Sequence, residues 1–146
     1  MLDINGWYYI VALFLFIVVW ALSKRLSAGL LAGYVFLFLA VTVLSRVPTE
    51  GMKAELVPFW SYRVTELREQ TLWNVIAFIP VGVCVGALFR LKGILLGIGI
   101  SVFVEMIQLI TMRGLFEFDD IIHNGIGTVI GVVIWMIFSR ILSQKE

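Results

Sequence analysis

The chain has 146 residues, 61% of them hydrophobic and only 14% charged, with a mean hydropathy of +1.02 and a formal net charge of +1. That composition lies outside the range of soluble domains, and the near-neutral balance, with neither a basic nor an acidic tail, leaves no electrostatic footprint for nucleic acid. Cys84 is the sole cysteine, so an internal disulfide is excluded, and its apolar surroundings predict a small packed hydrophobe.

The first apolar run, Gly6 to Leu22, is preceded only by Asp3 and followed by Lys24 and Arg25. Without a basic leading segment or a small-residue cleavage site it reads as a retained span rather than a removed signal. Trp7, Tyr8 and Tyr9 at one end and Trp20 near the other suit the two headgroup layers. Ala28 to Ser45 forms the second run. The connection from 46 to 71 is the long one: Leu56-Val57-Pro58-Phe59-Trp60 is apolar, and Ser61 to Gln70 is polar with helix formers. This loop is expected on the outer membrane surface, part of it as a short amphipathic helix. Leu72–Phe89, Gly93–Ile110 and Ile121–Ser139 complete the set, and Trp73 marks the boundary of the third. Each run is near the lower length limit for a bilayer-spanning helix. The expected fold is therefore all-α: a single transmembrane domain over 1–146, a polytopic bundle of about five helices with spans near 6–22, 28–45, 72–89, 93–110 and 121–139 and an outer loop at 46–71.

Charge orients that bundle. The Lys24/Arg25 turn, the Arg90/Lys92 turn and the Arg140/Lys145 tail carry six basic residues against one acid, Glu146, while the remaining connections with Asp3 and Glu105 hold five basic residues and nine acids. Five spans place all three basic stretches on one side. The positive-inside rule makes that side cytoplasmic, with the N-terminus outside and the C-terminus inside. Small-residue pairs at spacing four, Gly29/Gly33, Gly82/Gly86 and Gly127/Gly131, suggest close helix contacts, as do Gly93, Gly97 and Gly99.

A few polar residues break the apolar pattern. Glu105 and Gln108 share a face of the fourth span, with Arg113 just beyond its end. Asp120, Asn124, Gly127 and Gly131 form a single stripe on the fifth, polar at its mouth and small deeper down. Topology gathers Asn74, Glu105, Gln108, Arg113, Asp119, Asp120 and Asn124 in one outer layer, and Arg46 lies at the start of the adjoining loop. A carboxylate inside hydrocarbon costs on the order of 3 kcal/mol or more, so Glu105 must be paired, protonated or facing a water-filled cavity. Each residue also has a scaffold role open to it. Asp119 or Asp120 could cap the fifth helix, Asn74 its own helix start, Gln108 could bond between helices, and Arg113 could anchor to headgroups. His123, the sole histidine, has no accompanying metal-ligand spacing, and no nucleophile, phosphate-loop or zinc motif is present. No metal and no cofactor is expected. Acid–base chemistry by Glu105 or Asp120 is chemically open but not demanded.

At these residues the chain resembles the VanZ-like family of teicoplanin-resistance-protein-like membrane proteins. The resemblance rests on Leu56-Val57-Pro58-Phe59, on Asn74 to Gly82 with Pro80, on Glu105 and Gln108, and on Arg113, Phe116, Phe118-Asp119-Asp120, Asn124 and Gly127, and it covers roughly residues 30 to 135. It implies a protein of the bacterial cytoplasmic membrane associated with reduced susceptibility to teicoplanin-type lipoglycopeptides.

Three functions are then open. The first is an outer-leaflet polar site that binds an amphiphile, with Arg46, Arg113 and Arg63 meeting phosphate or carboxylate and Asn74, Glu105, Gln108, Asn124 and an aspartate meeting amine, hydroxyl or amide groups. Its partners would be a membrane lipid, a lipid-linked envelope precursor or the lipoglycopeptide antibiotic. The second makes the same site an enzyme acting on a lipid-linked precursor. The third is a non-catalytic assembly role, with a homo-oligomer possible. A transporter fits less well, because the sequence has no two-half repeat and its polar groups lie near one face.

Overall fold

The computed structural model describes residues 6–63 and 67–144. Asp3, the 64–66 stretch of the loop and the Lys145–Glu146 end, which bear on the expected topology, lie outside the described residues. The long apolar runs fold as α-helices, because only internal hydrogen bonding satisfies the backbone where no water reaches it. Five are present among the described residues: α1 (Trp7–Ser23), α2 (Leu26–Leu39), α3 (Leu67–Phe89), α4 (Gly93–Thr111) and α5 (Phe118–Ser143). The segments Leu26–Leu44, Glu69–Thr111 and Phe118–Ser143 are long and apolar enough to cross a membrane, and Trp7–Ser23 is a shorter apolar helix.

The outside of this bundle is apolar, and its inside holds buried polar residues beside a small apolar core. Leu22, Ile10, Leu95, Ile110 and Phe138 are exposed, whereas Ser101, Glu105, Gln108, His123, Asn124 and Thr128 are buried. An apolar surface around an interior that holds polar side chains is the pattern of a chain solvated by lipid.

Successive helices run antiparallel. Gly29 and Gly33 of α2 lie against Phe16, Trp20 and Ala12 of α1. Tyr34 donates its hydroxyl to the Ala77 carbonyl of α3 at 2.7 Å, and Phe38 meets Phe78 edge-on. That carbonyl lies one turn from Pro80, which has no N–H to return to the helix. The continuous run of α3 and α4 is broken by a single 3₁₀ turn, Arg90–Lys92, where Arg90 takes a left-handed φ of 56°. A 43-residue run would otherwise extend about 65 Å, twice a bilayer's hydrocarbon thickness. Lys24 and Met112, with φ of 57° and 55°, end α1 and α4 in the same left-handed way.

The tightest contact is between α3 and α5, which run parallel. Gly82 and Gly86 face Thr128, Gly131, Val132 and Trp135, while Gly127 and Gly131 face Val75, Ile79 and Val83. A small core of Phe78, Val81, Val85 and Val132 sits beside this seam. Gly97 of α4 packs on the Thr128 side chain, which brings α4 onto the same stretch of α5. Gly99, by contrast, meets nothing.

The helix boundaries differ from the hydropathy runs. α3 starts at Leu67 and α5 runs from Phe118 to Ser143, so both carry polar residues into their first turns. The helix of the second span finishes as a π-helical turn, Ala40–Leu44. The long loop is not simply a surface helix: Lys53–Glu55 (β1) pairs in parallel with Leu115–Glu117 (β2), joining the loop to the α4–α5 connection, and a 3₁₀ turn comes next at Trp60–Arg63.

Candidate functional site

At the end of the bundle that carries this small sheet, the structure encloses a cavity of about 100 Å³. Five elements each bring one or two polar side chains to it. The π-turn supplies Thr42 and, just beyond, Arg46; α3 supplies Gln70 and Asn74 from its first turns. Glu105 and Gln108 come from one face of α4, Glu117 from β2, and Asp120 and Asn124 from one stripe of α5. A π-turn inserts an extra residue into the helix and so re-aims the residues after it, Arg46 among them.

Glu105 is 1% exposed, and one carboxylate oxygen accepts the Glu117 backbone N–H at 3.0 Å. The buried carboxyl group therefore meets the connection over the cavity. Asn124 donates to the Ser101 hydroxyl at 2.9 Å and its backbone carbonyl receives the Thr128 hydroxyl. Its side-chain oxygen is buried without a hydrogen-bond partner, while the buried amide of Asn74 faces the Asp120 carboxyl group. An unmet buried polar atom costs about 1–3 kcal/mol, so the Asn124 oxygen favours a polar occupant in the cavity that Asn124 lines. The volume suits about three waters or one small polar head group. Three carboxyl groups, Glu105, Glu117 and Asp120, share this space with Arg46, whose charge acts on all three.

Of the residues singled out in the sequence, the structure brings Asn74, Glu105, Gln108, Asp120, Asn124 and Arg46 to one cluster and places Asp119, Arg113, Arg63 and His123 elsewhere. Asp119 points the other way and clasps the loop. Its fully buried carboxylate accepts the Phe59 N–H, the Ser61 N–H at 3.0 Å and the Ser61 hydroxyl. Neither aspartate caps α5, whose N-cap residue Glu117 makes no side-chain cap bond. Phe59 is held there with φ of 60°, an uncommon conformation for a bulky side chain. Arg113 donates to the Leu44 carbonyl at 3.1 Å, tying the end of α4 to the end of the π-turn. Arg63 is exposed at the end of the 3₁₀ turn and does not line the cavity.

His123 completes the clasp rather than the cavity. Its Nδ1 lies 2.6 Å from the Asp119 carbonyl, an acceptor only, so Nδ1 carries a proton, and Nε2 lies 2.8 Å from the Tyr62 hydroxyl. Sequence reasoning missed Thr42, Gln70 and Glu117 as cavity residues. Gln70 and Glu117 lie outside the hydropathy runs, and Thr42 reads as an ordinary span residue until the π-turn is known. Among the described residues, no group of three or more His, Cys, Asp or Glu is arranged to hold a metal ion.

Glu117 makes a pH test of this corner. Burial pushes its carboxyl above the usual carboxylate range, with Asp119 and Glu55 adding to the effect and the Trp60 indole and Arg46 opposing it. The folded chain then binds this proton more tightly than the unfolded chain. Its contribution to stability is intact below the ordinary glutamate value of about 4.5 and declines as pH rises from there through the raised folded value. Thermal unfolding in detergent should show wild type losing stability over that interval relative to Glu117→Gln; parallel curves would contradict this.

A bundle with a lipid-facing apolar surface and a buried polar cavity under a pinned loop defines a helical membrane protein. Comparison with known proteins gives its family: the chain belongs to the VanZ/LLP1 family, whose model matches residues 7–139. It is similar to Protein VanZ of Enterococcus faecium, at 29% identity over 136 residues, covering 86% of this chain and 83% of that protein. No solved structure matches the chain.

Proposed function

We propose that this chain is a multi-pass protein of the bacterial cytoplasmic membrane, one domain over its 146 residues, with the N-terminus outside. The cavity then opens towards the outer leaflet and binds the polar head of a membrane amphiphile, and this binding underlies reduced susceptibility to teicoplanin-type lipoglycopeptides. The observation that carries the reading is the buried cavity with an unmet polar atom, the side-chain oxygen of Asn124, beside Asn74 and Glu105. Asn74, Gln108, Asn124 and Glu105 can bond amine, hydroxyl or amide groups, while Arg46 offers a guanidinium to phosphate or carboxylate. Asp119 and Arg113 support the site by holding the loop and the π-turn over it. The ligand is a lipid, a lipid-linked envelope precursor or the lipoglycopeptide itself.

The test is teicoplanin susceptibility of a sensitive bacterium expressing this chain, beside Glu105→Gln at matched membrane abundance. Wild type is expected to protect, and the variant to return the host to its unprotected susceptibility. Equal protection by both would remove Glu105 from the function.

A catalytic reading has one observation in its favour: Glu105 and Asp120 line the same small space, where one could act as acid and the other as base. It requires a lipid or wall-precursor profile that changes on expression and reverts with Glu105→Gln.

A further inference from the structure

The other end of the bundle holds a second and larger cleft, of about 680 Å³, between α2, α3 and α5. Its walls are apolar, formed by Leu30, Val83, Cys84, Ala87, Trp135 and Met136. Arg25, at the start of α2, and Arg90, at the turn after α3, also line it, and both are exposed. Among the described residues neither guanidinium has an acidic partner, since the acids cluster at the opposite end, in the loop, the sheet and the cavity. The volume lies within the range of sites that enclose an organic ligand. An apolar slot of this size with two unneutralised guanidinium groups beside it is complementary to a molecule with a hydrocarbon tail and an anionic head.

We propose that this cleft is a specific site for an anionic phospholipid, with one acyl chain between α2, α3 and α5 and the phosphate between Arg25 and Arg90. Guanidinium pairs bind phosphate through charge-assisted, two-pronged hydrogen bonds, and basic pockets between membrane helices select anionic heads. The site is independent of the polar cavity and of the function proposed for it. It ties the α1–α2 turn to the α3–α4 turn, two connections that no hydrogen bond among the described residues joins.

Native mass spectrometry of the full chain, released from nanodiscs of phosphatidylcholine with a minor share of phosphatidylglycerol, tests this. Wild type should retain phosphatidylglycerol, enriched roughly tenfold or more over its share of the bilayer, as two cations near a phosphate provide. Arg25→Gln/Arg90→Gln should retain it only in proportion to that share. Cys84, the single thiol, gives a second readout. Its alkylation by maleimide should be slower in the mixed nanodiscs than in pure phosphatidylcholine, and the double substitution should erase the difference. Added inorganic phosphate should not displace the lipid, because the acyl chain contributes to its binding. Loss of the lipid to phosphate alone, absence of enrichment, or enrichment that survives the double substitution would each overturn the proposal.

Discussion

Replacing Gly131 with isoleucine is expected to collapse the folded population, with a loss of roughly 3 kcal/mol or more and a fall in the detergent unfolding midpoint of about 10 °C. A Cβ at this position would press into the Ile79 carbonyl, the Val83 nitrogen and the Cα of Gly82, all of them backbone. Backbone cannot swing aside as a flexible side chain can, so α3 and α5 would have to separate. In lipid that separation is not resisted by a hydrophobic penalty, because tails are as apolar as the helix faces; the association rests on close packing itself. Separation would also open the Phe78, Val81, Val85 and Val132 core and pull Asn74 away from Asp120 and Asn124, so the cavity and the fold would fail together. Gly99→Ala is the control: nothing lies within 4 Å of its Cβ position, and alanine favours the helix by up to about 1 kcal/mol. If the two substitutions behave alike in size-exclusion and thermal unfolding, the α3–α5 seam is not what holds the bundle.

Asp119→Ala is expected to release the loop while leaving the helices in place. The carboxylate is the shared acceptor of two backbone N–H groups and one hydroxyl, and Ser61 is itself only 3% exposed. Hydrogen bonds to a charged group contribute about 1.5–3 kcal/mol each, and their loss strands three donors at once, so a local cost of roughly 3–5 kcal/mol is expected. That cost exceeds what a three-residue parallel pair and the Tyr62–His123 contact can hold. The measurement is trypsin cleavage of the purified protein after Lys53 and Arg63. Wild type should be cut slowly and Asp119→Ala at least tenfold faster, with circular dichroism unchanged, because the opened population scales with the local free energy. Asp119→Asn, which keeps one acceptor oxygen, should fall between. Resistance equal to wild type in Asp119→Ala would show that the sheet, not the clasp, pins the loop.

Much of this protein is written in its hydropathy. The lipid-facing helices were legible because a spanning segment must be apolar over its length and must close its own hydrogen bonds. The cavity residues Glu105, Gln108, Asp120 and Asn124 stood out for the opposite reason, since a polar group in such a run carries an energetic cost that needs an explanation. The glycine pairs at spacing four likewise pointed at helix contacts, and Gly82, Gly127 and Gly131 do meet backbone.

The tertiary structure decided what those residues do. Asp119 and Asp120 are adjacent and chemically identical, yet successive helical positions point about 100° apart, so one clasps the loop and the other enters the cavity. Arg46 and Arg113 read alike as basic residues near span ends, yet one lines the cavity and the other holds a carbonyl of the π-turn. Thr42, Gln70 and Glu117 carried no signal, because their place depends on an inserted helical residue, an early helix start and a strand pairing between segments some sixty positions apart. Hydropathy is a property of single residues summed along the chain, and it registers where a segment must lie. Which side chains meet depends on helix rotation and on long-range backbone pairing, which only the folded chain determines.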